Sequence, residues 1–391
     1  MPGSRAQRLA VRKAERGRVA RRGAMAAAAS VVVAVGTVTG MMSALHDGRP
    51  SDEAGPRVTR SPSLQPLPAV PAPSPVTGSA SPSPSKSSAR PSPKSAGKKP
   101  GNAVAAPLYR HPDSQVLDWV RAHPDDPRRA VIASRIAGRP AAVWFADFSP
   151  ATVTARVRAV TRGAAAAGRV PVVVPYSIPL RDCGGASEGG APDLAAYDGW
   201  IDAFAAGLGS GEVIVILEPD SIAQSACLSG TQQADRFASL ARAGRVLKAA
   251  NPEARVYYDA GHSDWNTAAA QASLLARAGA RSAASSDGIF TNVSNFHRTS
   301  AEVAYARQVL SALGGPASLG AVIDTSRNGN GAPADGEWCD PDGRKIGRPP
   351  TPVTGEARID AYLWVKLPGE SDGCKGTPGT FSADYAYELA R

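Results

Sequence analysis

The 391-residue sequence carries a net charge of +10, and this charge is unevenly distributed. Residues 1–106 contain 16 Lys and Arg against 4 Asp and Glu, whereas residues 107–391 contain 28 against 30. The positive charge thus belongs to the N-terminal part, and it is no argument for a nucleic-acid-binding surface on the remainder. Residues 107–391 are enough for one large α/β domain with a substantial core.

Residues 1–45 have the pattern of an export segment. Residues 1–22 carry eight basic side chains and one acid, Glu15, and residues 23–45 follow without a charge. A basic segment before an apolar one is typical of an export signal, and Arg21-Arg22 permits a twin-arginine variant. The apolar run is also about as long as a membrane span, roughly 20 residues. We expect export to the outside of the cell, with cleaved secretion and a retained membrane anchor both open. A basic arm on a cytoplasmic protein is the alternative.

Residues 46–106 are rich in Pro and Ser, as in the stretches 71–75 and 81–85. Such sequences cannot bury a core and favour extended, semi-rigid conformations. We predict a disordered linker that ends where a catalytic domain, residues 107–391, begins.

Apolar runs alternate with Ala-rich amphipathic stretches, such as Thr152–Ala167 and Gln232–Ala250, along the predicted domain. The runs are continuously apolar, which indicates strands that are covered on both faces. Seven such repeats favour a closed or nearly closed parallel β/α barrel. No GxGxxG or Walker loop follows the first strand, which argues against a nucleotide-binding domain. The predicted strands are Ala142–Phe145, Val170–Tyr176, Val213–Leu217, Arg255–Tyr258, Gly288–Asn292, Leu319–Ile323 and Ala361–Val365.

Polar side chains follow six of these strands. A single one could cap a helix, because Asp, Ser and Asn favour that position. Six in succession predict an active site at the C-terminal mouth of the barrel, where barrel enzymes keep their chemistry. These residues include Asp182, Glu218, Asp220, Asp259, His262, Asn295, Asp324, Arg327, Lys366, Glu370 and Asp372.

The composition of this ring favours carbohydrate chemistry. No His or Cys spacing resembles a metal site, and no Ser lies in a nucleophile elbow. Acids occur instead among Trp residues, which suits sugars, and hydrolysis of an acetal needs one protonated carboxyl and one that manages water. Clustered acids raise the pKa of at least one member by like-charge repulsion. A single Trp is more often a core residue than a sugar platform. We assign Trp364, inside a strand, to the core, and Trp338, in a Gly/Asp/Pro-rich loop, is the better candidate for a platform.

Seven motifs along the chain resemble glycoside hydrolase family 6, the bacterial and fungal endoglucanases and cellobiohydrolases. They are VPVVVPYSIPLRDCGG, VIVILEPDS, YYDAGHSDW, TNVSNF, VIDTSRNGNG, EWCDPDGRKIG and WVKLPGESDGC. They occur in family order from Pro107 to Arg391, and the similarity is closest to the bacterial endoglucanases. The resemblance implies a distorted TIM-like parallel barrel of about seven strands and a reaction without a metal or cofactor.

The resemblance also implies roles for individual residues. Asp220 would be the general acid, and Asp182 would support its protonation and help order water. Asp372 would be the base, directly or through a water chain, with Asp259 as another acid of the cleft and Tyr176 against the distorted sugar. The implied substrate-binding residues are Trp144, His262, Trp265, Asn292, Trp338, Lys366 and Glu370.

The resemblance further implies two disulfides, Cys183 with Cys227 and Cys339 with Cys374, and an even Cys count suits an oxidising compartment. The sequence departs from the family where WNTAAA follows Asp264 and where Phe296 replaces a frequent Tyr.

We therefore predict a monomeric, endo-acting, inverting β-1,4-glucanase whose partner is a β-1,4-glucan. An exo-acting cellobiohydrolase is the first alternative; it would need long loops that roof the cleft, whereas the connections here are short. A non-catalytic surface glucan-binding protein is the second. Such a protein would keep the Trp platforms but would not need Asp182, Asp220 and Asp372.

Overall fold

The computed structural model describes Val104 and residues 106–391, which belong to the unit Lys98–Arg391. The predicted export segment 1–45 and nearly all of the predicted linker 46–106 lie outside the described residues. Val104 and Leu108 are buried together, so packing begins a few residues before Pro107, the predicted start of the domain. Within the described residues, no helix is both long and apolar enough to cross a membrane.

Seven strands form one sheet in the order β1 to β7, and each pair of neighbours is parallel. This arrangement requires helical crossovers on the outside, which the predicted βα repeats supply. The strands are β1 (Val143–Phe145), β2 (Val172–Pro175), β3 (Val213–Leu217), β4 (Ala254–Asp259), β5 (Gly288–Thr291), β6 (Gly320–Asp324) and β7 (Ile359–Leu363).

The α-helices of the described residues cover the outside of this sheet and the segments next to its ends. They are α1 (Gln115–Ala122), α2 (Arg129–Ile132), α3 (Val153–Ala166), α4 (Leu194–Ala205), α5 (Gly230–Ala250), α6 (Ala268–Arg277), α7 (Thr299–Leu313) and α8 (Ala383–Ala390). Helix α2 continues into a π-helical turn, Ala133–Ala137. The start of α5 is fixed by a capping box between Ser229 and Gln232.

Burial on both faces explains why the strands are continuously apolar. In β3, Ile214 and Ile216 belong to the interior cluster, whereas Val213, Val215 and Leu217 pack against the helices. The sheet curls until its two ends approach each other, and the backbone N–H of Ala142 donates to the carbonyl of Trp364 at 2.9 Å. The predicted distorted barrel of seven parallel strands is confirmed.

Strand β7 begins two residues earlier than the predicted Ala361 and ends at Leu363. Trp364 follows it and is buried, with its indole N–H donating to the carbonyl of Arg348 at 3.0 Å. The assignment of Trp364 to the core is therefore confirmed.

Candidate active site

Asp220 lies in the turn that follows β3, in a left-handed conformation with φ of 67°. Left-handed backbone at a non-Gly residue is strained and marks positions that the surrounding structure over-determines. Burial raises the pKa of the Asp220 carboxyl well above its usual range, and the nearby charges of Asp259 and Asp182 raise it further. The surroundings of Asp220 therefore favour its protonated form.

Asp259, the last residue of β4, is buried beside this turn and holds its backbone. Its Oδ2 accepts hydrogen bonds from the N–H groups of Ile222 at 3.0 Å and Ala223 at 2.8 Å, and its Oδ1 accepts one from Gly261 at 2.9 Å. Burial raises the pKa of Asp259 too, but these backbone donors favour its charged form. Of these two buried carboxyls, Asp259 is thus the one whose hydrogen bonds favour ionisation.

The third acid, Asp182, belongs to the loop after β2 and is also left-handed, with φ of 52°. Its Oδ2 accepts hydrogen bonds from the backbone N–H of Ser187 at 2.8 Å and from the Ser187 hydroxyl at 3.0 Å. The same hydroxyl lies 2.9 Å from the hydroxyl of Tyr176. Ser187 therefore links Asp182 to Tyr176. Each hydroxyl can both donate and accept, so the pair can hydrogen-bond a water molecule.

The loops that carry Asp182 and Asp220 are fastened to each other twice. A disulfide joins Cys183 to Cys227. The guanidinium of buried Arg236, on α5, donates to the carbonyls of Pro179 at 2.6 Å and Ser221 at 3.4 Å. The two acids are therefore positioned by covalent and charge-assisted contacts rather than by the loops alone.

Asp372 lies after β7, between two cations. Its Oδ2 accepts a hydrogen bond from Nη1 of fully buried Arg327 at 2.7 Å. Its Oδ1 lies 3.2 Å from Nζ of Lys366, which also pairs with Glu370 at 3.1 Å. Both carboxylate oxygens of Asp372 are thus engaged in ion pairs.

Buried Asp340 shapes the loop that carries Asp372. Its carboxylate accepts hydrogen bonds from the backbone N–H groups of Asp372 at 2.8 Å, Cys374 at 3.0 Å and Lys375 at 2.9 Å, and from the Ser371 hydroxyl. Burial alone would raise the pKa of Asp340, but these donors lower it to about 2. The second disulfide, Cys339 to Cys374, closes the same loop.

Aromatic residues flank the acids. Trp144 meets Tyr176 edge-to-face at 5.2 Å, and its indole N–H donates to the carbonyl of Val365 at 2.8 Å. His262 lies 5.2 Å from Trp265. Trp338 is 55% exposed, which is unusual for so large an apolar side chain and suits a platform.

His262 stacks on His297 with ring centroids 4.1 Å apart. Burial lowers the pKa of His262 to about 3, and His297 contributes to the shift. A neutral imidazole has one donor and one acceptor nitrogen, so it can serve a sugar hydroxyl in either sense.

Asn292 differs from the expectation for a substrate-binding residue. It has no exposed surface, and its amide nitrogen donates to the carbonyls of Asp324 at 2.8 Å and His297 at 3.3 Å. Its oxygen accepts from the backbone N–H of His297 at 3.0 Å. In the structure Asn292 therefore holds the loop after β5 rather than presenting an amide at the surface.

Comparison with known proteins identifies the architecture that carries these acids. Residues 101–388 match the family described as Glycosyl hydrolases family 6. The chain belongs to glycosyl hydrolase family 6. Endoglucanase 1 of Streptomyces sp. (strain KSM-9) is 54% identical over 284 residues, 72% of this chain and 77% of that protein. Endoglucanase A of Thermobispora bispora is 52% identical over 292 residues, 74% of this chain and 63% of that protein.

A solved structure of an endoglucanase supports the same family assignment. The endoglucanase Cel6 from Mycobacterium tuberculosis, in complex with methyl-cellobiosyl-4-deoxy-4-thio-β-D-cellobioside, superposes with a TM-score of 0.68 at 40% identity. The match covers 73% of this chain and 97% of that one. The family 6 resemblance predicted from the sequence is confirmed, and the protein is a glycoside hydrolase.

The structure of this family 6 enzyme brings Asp182, Asp220 and Asp259 together in one cluster. Lys366, Glu370 and Asp372 form a second cluster. Ser187 and Asp340, which contact the acids or their loops, were not predicted from the sequence, and Arg327 was predicted without a role. The position of Arg327 directly after β6 was an available signal; Ser187, in a Gly-rich loop, offered none. In the described residues, no group of three His, Cys, Asp or Glu side chains is arranged to hold a metal ion.

Proposed function

We propose that the protein is an exported, endo-acting glucanase that hydrolyses β-1,4-glucosidic bonds with inversion. The observation that carries this proposal is the contrast between its two acidic sites. Burial and neighbouring charges favour the protonated form of Asp220, as a general acid requires. Asp372, in contrast, pairs with two cations through both oxygens.

The ion pairs of Asp372 support inversion. A retaining enzyme needs a carboxylate oxygen that is free to attack the sugar and form a covalent intermediate. Both oxygens of Asp372 are occupied, so its more natural role is to accept a proton from water, directly or through other groups. The Asp182–Ser187–Tyr176 chain supplies groups that could order such a water.

Relatives support the substrate and the mode of attack. The two relatives named above are endoglucanases, and the solved neighbour was crystallised with a thio-linked cello-oligosaccharide. Two disulfides support export, because disulfides persist in oxidising compartments.

The decisive experiment follows the anomeric configuration by NMR. The first product from a β-1,4-linked cello-oligosaccharide should be the α-anomer, before mutarotation. An initial β-anomer would exclude inversion and with it the roles given to Asp182 and Asp372. On soluble glucan, viscosity should fall far faster than reducing ends appear; a parallel course would favour the exo-acting alternative.

The variant Asp220→Asn tests the acid. Turnover of unactivated glucan should fall by about 10²- to 10⁴-fold, the usual contribution of general acid catalysis. A cellobioside with a very acidic phenol as leaving group needs little protonation and should lose much less. Equal losses on both substrates would place the acid elsewhere.

A further inference from the structure

A cavity of about 240 Å³ adjoins the candidate active site. It lies at the seam of the barrel, between the segment before α1, the start of β1 and the segment after β7. Its walls include Trp144 and Glu370, the outermost members of the site described above. Water occupies about 30 Å³ per molecule in the liquid, so the cavity has room for a group the size of a sugar ring.

Trp144 and Glu370, which line both the cavity and the candidate active site, contact residues next to the catalytic groups. Trp144 packs edge-to-face on Tyr176 at 5.2 Å. Glu370 pairs with Lys366 at 3.1 Å, and Lys366 lies 3.2 Å from Asp372. A chain of sugars that leaves the site past Trp144 and Glu370 therefore enters this cavity.

The remaining charged side chains in the walls are exposed to solvent. In the described part of the chain, no hydrogen bond or ion pair involves the guanidinium of Arg110 or Arg139 or the carboxylate of Asp113, all of which line the cavity. These three charged groups around one cavity are therefore available to hydrogen-bond a polar ligand.

The wall chemistry selects a neutral sugar over an anion. Arg110 and Arg139 are balanced by Asp113 and Glu370, so the charged side chains of the walls carry no net positive charge. Guanidinium groups only donate hydrogen bonds and carboxylates only accept them, whereas a sugar hydroxyl does both. Trp144 adds an apolar surface, held by its bond to the carbonyl of Val365. Such a mixture is typical of ligand pockets.

We propose that this cavity is an additional glucosyl-binding subsite, in which Arg139, Arg110 and Asp113 bind the hydroxyls of the sugar that follows Trp144 along the glucan. The inference rests on the proposed function for the identity of the chain, but its binding step does not require catalysis. It predicts that the enzyme prefers longer oligosaccharides than the sites next to the acids alone would require.

The test measures binding and cleavage separately. Affinities of cellotetraose, cellopentaose and cellohexaose are measured by calorimetry in the Asp220→Asn background, where hydrolysis is slowest. The affinity gained on lengthening the chain should fall by about 5- to 20-fold when Arg139→Gln is added, and further with Arg110→Gln, as expected for lost hydrogen bonds to charged groups. In the active enzyme, Arg139→Gln should also shift the preferred cleavage position of end-labelled cellohexaose.

Arg135→Gln is the matched control, since Arg135 is an exposed residue of the adjoining π-helical turn and does not line the cavity. It should leave both the affinity series and the cleavage pattern unchanged. The subsite would be overturned if adding Arg110→Gln and Arg139→Gln left the gain in affinity with chain length unchanged. It would also be overturned if the Asp220→Asn protein itself showed no gain in affinity with chain length. A gain that depends on Arg139 in a protein that cleaves no glucan would refute the proposed hydrolysis and leave the subsite standing.

Discussion

The protonation of Asp220 should depend on the charge of Asp259, and Asp259→Asn isolates this dependence. Asn keeps the shape of Asp but removes the negative charge. Burial is the largest cause of the raised pKa of Asp220, and the charge of Asp259 is the next. The substitution should therefore lower the pKa of Asp220 while leaving it above its ordinary value, because burial remains.

The same substitution has a cost in stability that can be worked from the contacts. Asp259 accepts backbone hydrogen bonds on both oxygens, from Ile222 and Ala223 on one and from Gly261 on the other. Asn has one oxygen, so its NH₂ group must face at least one backbone N–H. An unsatisfied buried donor costs roughly 1–3 kcal/mol of unfolding free energy.

The assay is kcat/KM on a soluble β-glucan as a function of pH. The alkaline limb of this profile reports the pKa of the essential acid in the free enzyme. Because the acid must be protonated, a lower pKa of Asp220 moves this limb to lower pH.

Asp324→Asn is the control for this experiment. Asp324 is equally buried and holds the backbone N–H groups of Ser326 at 2.8 Å and Lys366 at 3.1 Å, but it is not among the causes of the shift at Asp220. It should lose stability without moving the alkaline limb. An alkaline limb that stays in place or moves upward in Asp259→Asn would refute the assignment of Asp220 as the acid controlled by Asp259.

Three further variants test other parts of the structure. Ser187→Ala removes a hydroxyl bonded to Asp182 and Tyr176, so kcat should fall by about 10- to 100-fold with little change in melting temperature; full activity would exclude Ser187 from the site. Burial raises the pKa of Asp360 to about 7, so the unfolding free energy should fall as pH rises from about 4 to about 7, because the folded state then binds more protons than the unfolded state. Asp360→Asn cannot ionise at this position, so its unfolding free energy, measured with urea, should rise relative to that of the parent by at most about 4 kcal/mol between these pH values. A difference between variant and parent that does not change with pH would contradict the raised pKa of Asp360. Replacing both cysteines of the Cys183–Cys227 disulfide by Ser should lower the unfolding free energy by roughly 2–4 kcal/mol, and an unchanged urea midpoint would show that Arg236 alone fastens the two loops.

The strands could be predicted because their signal is local. Both faces of each strand are covered, so the sequence is apolar at successive positions; the predicted Val213–Leu217 and the observed β3 coincide. The start of β7 was missed because Asp360 interrupts the apolar run. Its carboxylate accepts a hydrogen bond from the Tyr257 hydroxyl at 2.9 Å, a partner 103 positions away. No local pattern reveals such a contact.

The acids of the site could be predicted from strand ends and from the family motifs, but the groups that control them could not. Arg327 meets Asp372 from 45 positions away, and Asp340 reaches the N–H of Asp372 from 32. These contacts exist only once β6 and β7 lie side by side. For Asn292 the sequence predicted a site residue that the structure uses otherwise. Its side-chain amide lies at a strand end but hydrogen-bonds neighbouring backbone groups.

The protein gives three aspartates different chemistry by changing what surrounds them. Around Asp220 the nearest charges are other carboxylates, and burial removes water, so the neutral form is favoured. Asp259 is as deeply buried but receives backbone N–H groups, which favour the charged form. Asp372 receives Arg327 and Lys366 instead. Moving the proton from Asp220 to Asp259 would place an O–H group against backbone N–H donors, so in the proposed mechanism the hydrogen bonds of Asp259 determine which carboxyl serves as the acid.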